Sequence, residues 1–129
     1  MDIPSIGILM GDAAGIGPEL IIKSLMDKTR PLYCSFFVIG NFQALQRAAD
    51  SLNKHVKIQQ IQSVERNKID PETIFVLNSE TGNNSNPHWG IPSAANGANS
   101  ISQIKTAVDL ALSNKIDGIV IAPLNKEAM

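Results

Sequence analysis

The stretch from Gly11 to Glu19 constrains this chain more than any other. It reads Gly-Asp-Ala-Ala-Gly-Ile-Gly-Pro-Glu and stands between two apolar runs, Ile3 to Met10 and Leu20 to Met26. That order spells strand, glycine-rich turn, helix. Gly15 and Gly17 let the backbone bend sharply and approach a ligand with no β-carbon in the way. Pro18 suits the first helical position, where a missing N–H costs nothing. Amides at a helix start attract anions. Two readings stay open from these residues alone: a tight structural turn, or a turn that holds an anion.

The remaining elements follow from periodicity. Residues 3–10 read as the first strand and 18–28 as the first helix, with Ile21 and Leu25, Ile22 and Met26 at helical spacing and Lys23, Asp27 and Lys28 facing water. Residues 34–39 make a strand apolar enough to be covered on both faces. Asn41 caps a second helix whose stripe is Phe42, Leu45, Ala49 and Leu52. Residues 55–61 alternate and predict a half-exposed strand, and 73–77 another strand. Asn78 to Pro92 form a polar loop carrying His88 and Trp89, either a contact element or a packed loop. A third helix is predicted over 94–113, with Ile101, Ile104, Val108, Ala111 and Leu112 on its apolar face. A buried strand follows at 117–122, then a turn from Pro123 to Lys126. Alternating strands and helices predict an α/β fold: three layers around a mostly parallel sheet. No helix is evident between the strands at 55–61 and 73–77, so a mixed sheet is also allowed. Glu127, Ala128 and Met129 read as the opening of a further helix, so residues 1–129 are expected to be the N-terminal α/β portion of a longer protein.

Composition narrows the partners. A length of 129 residues gives room for one modest domain, and a net charge of -1 offers no electrostatic case for nucleic acid or an anionic membrane. No basic-then-apolar leader is present, and no apolar run approaches the about 20 residues of a membrane helix. A cytoplasmic protein is expected. The single cysteine, Cys34, lies in an apolar run and reads as a buried, inert thiol. The two histidines, His55 and His88, have no metal-ligand spacing around them. No serine or cysteine nucleophile has an evident base partner.

In open parallel sheets, ligands bind beyond the carboxyl ends of the strands. Two turns leave such ends here, 11–17 and 122–126. Lys126 is either a solvated lysine at a helix start or a cation that holds a phosphate or carboxylate, and the helix dipole disfavours the first. Asn125 is either a helix cap or a ligand contact. Asp12 either takes turn amides or meets a ligand hydroxyl. The candidate substrate- or anion-binding residues are therefore Lys126, Asn125, Asp12, Gly15 and Gly17, with no catalytic residue and no metal ligand.

These two segments carry a family resemblance. Residues 11–19 resemble the Gly-Asp-Pro-Ala-Gly-Ile-Gly-Pro-Glu signature of the 4-hydroxythreonine-4-phosphate dehydrogenase family, with Ala13 in place of the usual proline. The stretch from Gly90 through Asn96-Gly97 and the third helix to Ala122-Pro123-Leu124-Asn125-Lys126-Glu127 is similar to the family's second block, which ends in Pro-x-Asn-Lys. The resemblance implies an isocitrate/isopropylmalate dehydrogenase-like fold, of which this chain is part of the first subdomain. It implies NAD-dependent oxidation, then decarboxylation, of a small phosphorylated four-carbon acid in pyridoxal phosphate (vitamin B6) synthesis. It also implies a homodimer and a divalent metal held by histidines outside this chain. The Gly-His-Thr-Glu substrate motif would lie beyond Met129, so this chain alone is expected to be inactive. Three other readings remain. A sister group of the family oxidises four-carbon sugar-acid phosphates. Short-chain dehydrogenases share the Gly11, Gly15, Gly17 spacing, but Gly40-Asn41 stands where a ribose-reading charge belongs, and Tyr33 has Phe37 at the offset of the expected lysine. The third is a non-catalytic, anion-binding remnant.

Overall fold

The structure is a computed structural model that describes residues 3–12, 15–30, 33–66, 68–78 and 94–122. The element order is β1 (Ser5–Leu9), α1 (Gly17–Leu25), β2 (Ser35–Gly40), α2 (Phe42–Ser51), β3 (Lys57–Ile61), β4 (Thr73–Asn78), α3 (Ala94–Leu112) and β5 (Gly118–Ile121). The strands form one five-stranded sheet in the order β3-β4-β2-β1-β5. Every described pairing is parallel, including β3 with β4. The mixed-sheet alternative is thereby overturned. A parallel return needs a crossover of about a dozen residues but not a helix, and the described residues between β3 and β4, 62–66 and 68–72, are irregular chain. Ser35 Oγ donates to the Lys68 carbonyl at 2.7 Å, and the Lys68 ammonium sits 4.5 Å from the centre of the Phe75 ring, pinning that crossover to the sheet.

Two cores lie on opposite faces of the sheet, as alternation along each strand requires. On one face Ile21, Ile22 and Leu25 of α1 and Ala44, Leu45, Ala48 and Ala49 of α2 meet Val38, Ile74 and Val76. On the other, Phe37, Ile39, Phe75 and Leu9 meet Ala107 of α3 and Ile116. The stripes expected for α1 and α2 are the ones that pack. Asn41 caps α2 as its position predicts, accepting from the Ala44 amide at 3.0 Å. Helix α1 stops at Leu25, short of residue 28. Asp27 there draws the Thr29 amide and hydroxyl onto its carboxylate at 2.8 and 2.7 Å, a local turn that competes with further helix.

Three expectations fail. In α3, Ile101, Val108 and Leu112 face outward, Leu112 at 78% exposure, and the buried line is Ser100, Gln103 and Ala107. Only Ile104 and Ala111 of the predicted face reach the core, as partly buried neighbours. The helix packs with its small and amide-bearing side toward β1 and β2, because that side admits close approach to backbone. The strand at the chain's far end is an exposed edge and not a buried strand: β5 pairs with β1, and Ile119, Val120 and Ile121 are all exposed. Cys34 is half-buried.

Candidate functional site at the carboxyl rim

All strands run the same way, so their carboxyl ends share one rim. Leu9 is in register with Ile39 on one side and Ile121 on the other, and Gly40 is in register with Asn78. The last rungs at this rim are Met10 N–H to the Ile39 carbonyl and Ala122 N–H to the Leu9 carbonyl, both 3.0 Å. The chain then leaves β1 through Gly11, whose φ of 81° is left-handed backbone that side chains strain to adopt. Asp12 follows, buried at 5% exposure. Its carbonyl accepts from the Gly15 amide at 2.9 Å, closing the bend.

Helix α1 opens immediately after. Its N-cap, Ile16, offers no side-chain cap, and Pro18 stands in the first turn. Gly17 packs against the end of β1 so tightly that a β-carbon there would overlap the Met10 carbonyl oxygen. The same β-carbon would sit 3.3 Å from that of Ala122. The absent side chain at Gly17 is thus explained by helix–strand packing. Gly15 has ordinary space around it, the nearest atom to a built β-carbon being the Asp12 carbonyl oxygen at 3.4 Å. Its amide is already committed to Asp12.

The turn is held from the opposite face of the sheet by a residue that periodicity did not single out. Gln103 of α3, 1% exposed, accepts from the Gly11 amide through Oε1 at 2.9 Å and donates from Nε2 to the Gly11 carbonyl at 3.1 Å. Each of those backbone groups, left unpaired and buried, costs about 1–3 kcal/mol. In sequence the contact spans |i−j| = 92, so no local pattern announces it. Gly11 opens the motif, yet only the structure assigns it the left-handed φ.

Of the five candidate residues, Asp12, Gly15 and Gly17 come together in this bend. Asn125 and Lys126 lie outside the described residues, as do His88 and Trp89. The chain exits β5 at Ala122, alongside Gly17. Among the described residues no group of three His, Cys, Asp or Glu side chains gathers to hold a metal, and no helix is long and apolar enough to cross a membrane.

Two clefts lie away from this rim. One of about 210 Å³ sits over Phe37 and Phe75, beside residues 62–65 and Lys68. A shallower one of about 700 Å³ opens at the amino rim among Lys28, Arg30, His55, Lys57 and Asp70. There, backbone N–H of Glu72 and the Thr73 hydroxyl hold the Asp70 carboxyl below its usual range. Burial lowers Arg30, whose Nη atoms reach the Leu25 and Asp70 carbonyls. These groups are engaged in holding turns.

An all-parallel, three-layer α/β body with a glycine turn and an uncapped helix start at its carboxyl rim is the build in which such sheets take up phosphorylated ligands and dinucleotides. The chain belongs to the family of the pyridoxal phosphate biosynthetic protein PdxA, whose family model matches residues 32–129. It is 39% identical over 127 residues to the D-threonate 4-phosphate dehydrogenase of Cupriavidus necator, covering 98% of this chain and 38% of that protein. It is 32% identical to the 4-hydroxythreonine-4-phosphate dehydrogenase of Trichlorobacter lovleyi, again over 98% of this chain and 38% of the relative. A crystal structure of a 4-hydroxythreonine-4-phosphate dehydrogenase from Burkholderia phymatum superposes with a TM-score of 0.88 at 40% identity, over 98% of this chain and 38% of that one. The chain therefore spans little more than a third of the length of these relatives.

Proposed function

We propose that this chain is the N-terminal portion of an NAD-dependent dehydrogenase that oxidises a small phosphorylated four-carbon acid and leads to its decarboxylation, in the manner of 4-hydroxythreonine-4-phosphate dehydrogenase. The observation that carries the reading is the meeting of the 11–17 turn and the β5 exit on one rim. In this reading Asp12 takes turn amides or a ligand hydroxyl, the turn and the start of α1 favour an anion, and Asn125 and Lys126 bring an amide and a cation to the same ligand. The described residues fit an anionic group but supply no metal centre. The family resemblance assigns the divalent metal to histidines outside this chain. Homodimer formation and a cytoplasmic location belong to the same proposal, as does inactivity of the 129-residue chain by itself.

A second reading has a specific support: the relative at 39% identity is named for D-threonate 4-phosphate, so a sugar-acid phosphate is the alternative substrate. A chimera decides between them. Residues 1–129 replace the equivalent segment of the Cupriavidus necator enzyme, and NAD reduction is followed with each four-carbon phosphate. The chimera is expected to turn over at least one of them, and Asp12→Ala to lower its kcat/KM about tenfold or more through misplaced substrate. Turnover of neither, together with no calorimetric binding of NAD or phosphate by the isolated chain, sinks the dehydrogenase reading in favour of a non-catalytic remnant. NAD reduction by the isolated chain would refute its inactivity.

A further inference from the structure

We infer that Gln103 is the positioning residue of the 11–17 turn, and that the turn keeps its ligand-ready shape only while the Gln103 carboxamide grips both backbone groups of Gly11. The functional meaning of this inference rests on the anion-binding role proposed for the turn; the grip itself does not.

The argument starts from what β1 leaves behind. The sheet's ladder ends at Met10, whose amide takes the Ile39 carbonyl. Gly11 is the first residue with no strand partner, and its φ of 81° turns it off the sheet's line. Its N–H and C=O still need partners in a buried position. A carboxamide carries a donor and an acceptor side by side whatever the pH, the same pair a neighbouring strand would present. Gln103 supplies it from α3, at 2.9 and 3.1 Å, and completes one further rung without a strand.

The grip then propagates through covalent neighbours. Met10, immediately before Gly11, offers the carbonyl against which Gly17 packs. Asp12, immediately after, offers the carbonyl that accepts from Gly15. Both contacts that shape the turn are one peptide from the residue Gln103 holds. A shift at Gly11 moves both. Side-chain chemistry sets the requirement: leucine offers neither bond, and asparagine is one methylene short. Glutamate keeps the acceptor but presents a carboxylate to the Gly11 carbonyl until it takes up a proton. A buried glutamine also sits where the helix period would place a leucine, a costly choice unless both polar ends are used.

The test is backbone-amide hydrogen exchange by NMR on the 129-residue chain, with inorganic phosphate as the probe of the turn. In the wild type the Gly11 amide is protected, and phosphate shifts the amides of Gly15, Ile16, Gly17 and Glu19 saturably. In Gln103→Leu the Gly11 protection falls about thirtyfold, the scale of a lost buried hydrogen bond, while Ala48 and Ala49 in α2 keep theirs within about twofold. The phosphate affinity of the turn falls with it. In Gln103→Glu, Gly11 protection returns as pH is lowered and the carboxyl gains the proton that lets it donate. This second variant also decides the matter if the leucine variant does not fold.

Three results overturn the inference: a wild-type Gly11 amide exchanging as fast as that of exposed Lys28, equal loss of protection at Gly11 and in α2, or a pH-independent Gly11 in Gln103→Glu. Phosphate that shifts no wild-type amide of residues 15–19 sinks the anion reading and the functional half of this inference, while the exchange pattern still decides the grip.

Discussion

The two rims of the sheet are built by opposite means. At the amino rim three aspartates turn the chain into strands, Asp27 and Asp117 from exposed positions and Asp70 from a half-buried one. Asp27 holds Thr29, Asp70 holds the Glu72 amide and the Thr73 hydroxyl, and Asp117 holds the Ser5 amide at 2.9 Å and Arg66 at 2.8 Å. At the carboxyl rim the polar groups are buried: Asp12, Asn41 and Gln103. There the backbone is pressed against backbone, with Gly17 on Met10, and Gly40 so close that its β-carbon would lie 2.6 Å from that of Met10. Exposed carboxylates compete with water and contribute little each. Buried contacts leave a large penalty behind when one partner is removed. The exposed carboxylates of the amino rim are therefore tolerant of substitution, although Ser5, Ser35 and Thr73 lie buried beside them, and the carboxyl rim, where the ligand is proposed to sit, is not.

Substitutions ranked by expected effect would break or sharpen that contrast. Gly17→Ala heads the order. The obstructing atom is a main-chain oxygen at the end of a central strand, so the helix must move, at a cost of about 3 kcal/mol. Urea unfolding checks it, and an unchanged midpoint would show the packing to be slack. Gly11→Ala follows, with a loss of about 1–2 kcal/mol for a left-handed residue given a β-carbon. Asn41→Ala comes next, about 1 kcal/mol for a lost helix cap; a loss no larger than that of Arg66→Ala would erase the difference between the rims.

The amino rim gives the smallest effect, and it depends on pH. The Arg66 guanidinium and the Ser5 amide lower the Asp117 carboxyl to about 2 from its usual 3.8. A carboxyl lowered in the folded state stabilises above its unfolded value, and that contribution is lost as pH falls through the folded one. The stability gap between wild type and Asp117→Asn should therefore be full above pH 4 and close between about pH 4 and 2. Thermal melts across that window measure it, and a gap that persists below pH 2 would reject the assignment.

What could be read ahead of the structure was local. Ile21, Ile22 and Leu25 recur at the helical period, and they are the residues of α1 that pack. Asn41 sits one residue before a helix and caps it, because the partner amide is three residues away. The misread elements were those whose burial depends on distant chain. An apolar line at Ile101, Val108 and Leu112 has the same period as a core face, and only the position of α3 over β1 and β2 turns it outward. Residues 118–121 have the composition of an interior strand, yet their place at the end of the sheet order leaves them exposed. The glycine turn was legible as a turn. The distribution of labour within it was not: Gly11 takes the strained conformation and Gly17 the close packing, while Gly15 meets only ordinary contacts.

The sequence by itself determined that this protein alternates strands with helices, places a glycine-rich turn after its first strand and matches the PdxA family over residues 32–129. Periodicity, caps and turn residues act over a few positions and need nothing from the rest of the chain. Tertiary structure alone decided the strand order, the all-parallel pairing, the face α3 buries and the seating of Gln103 on Gly11. The reason is physical: each joins groups far apart in sequence, and unpaired backbone and buried amides select their partners only once the sheet has brought them within a hydrogen bond's reach.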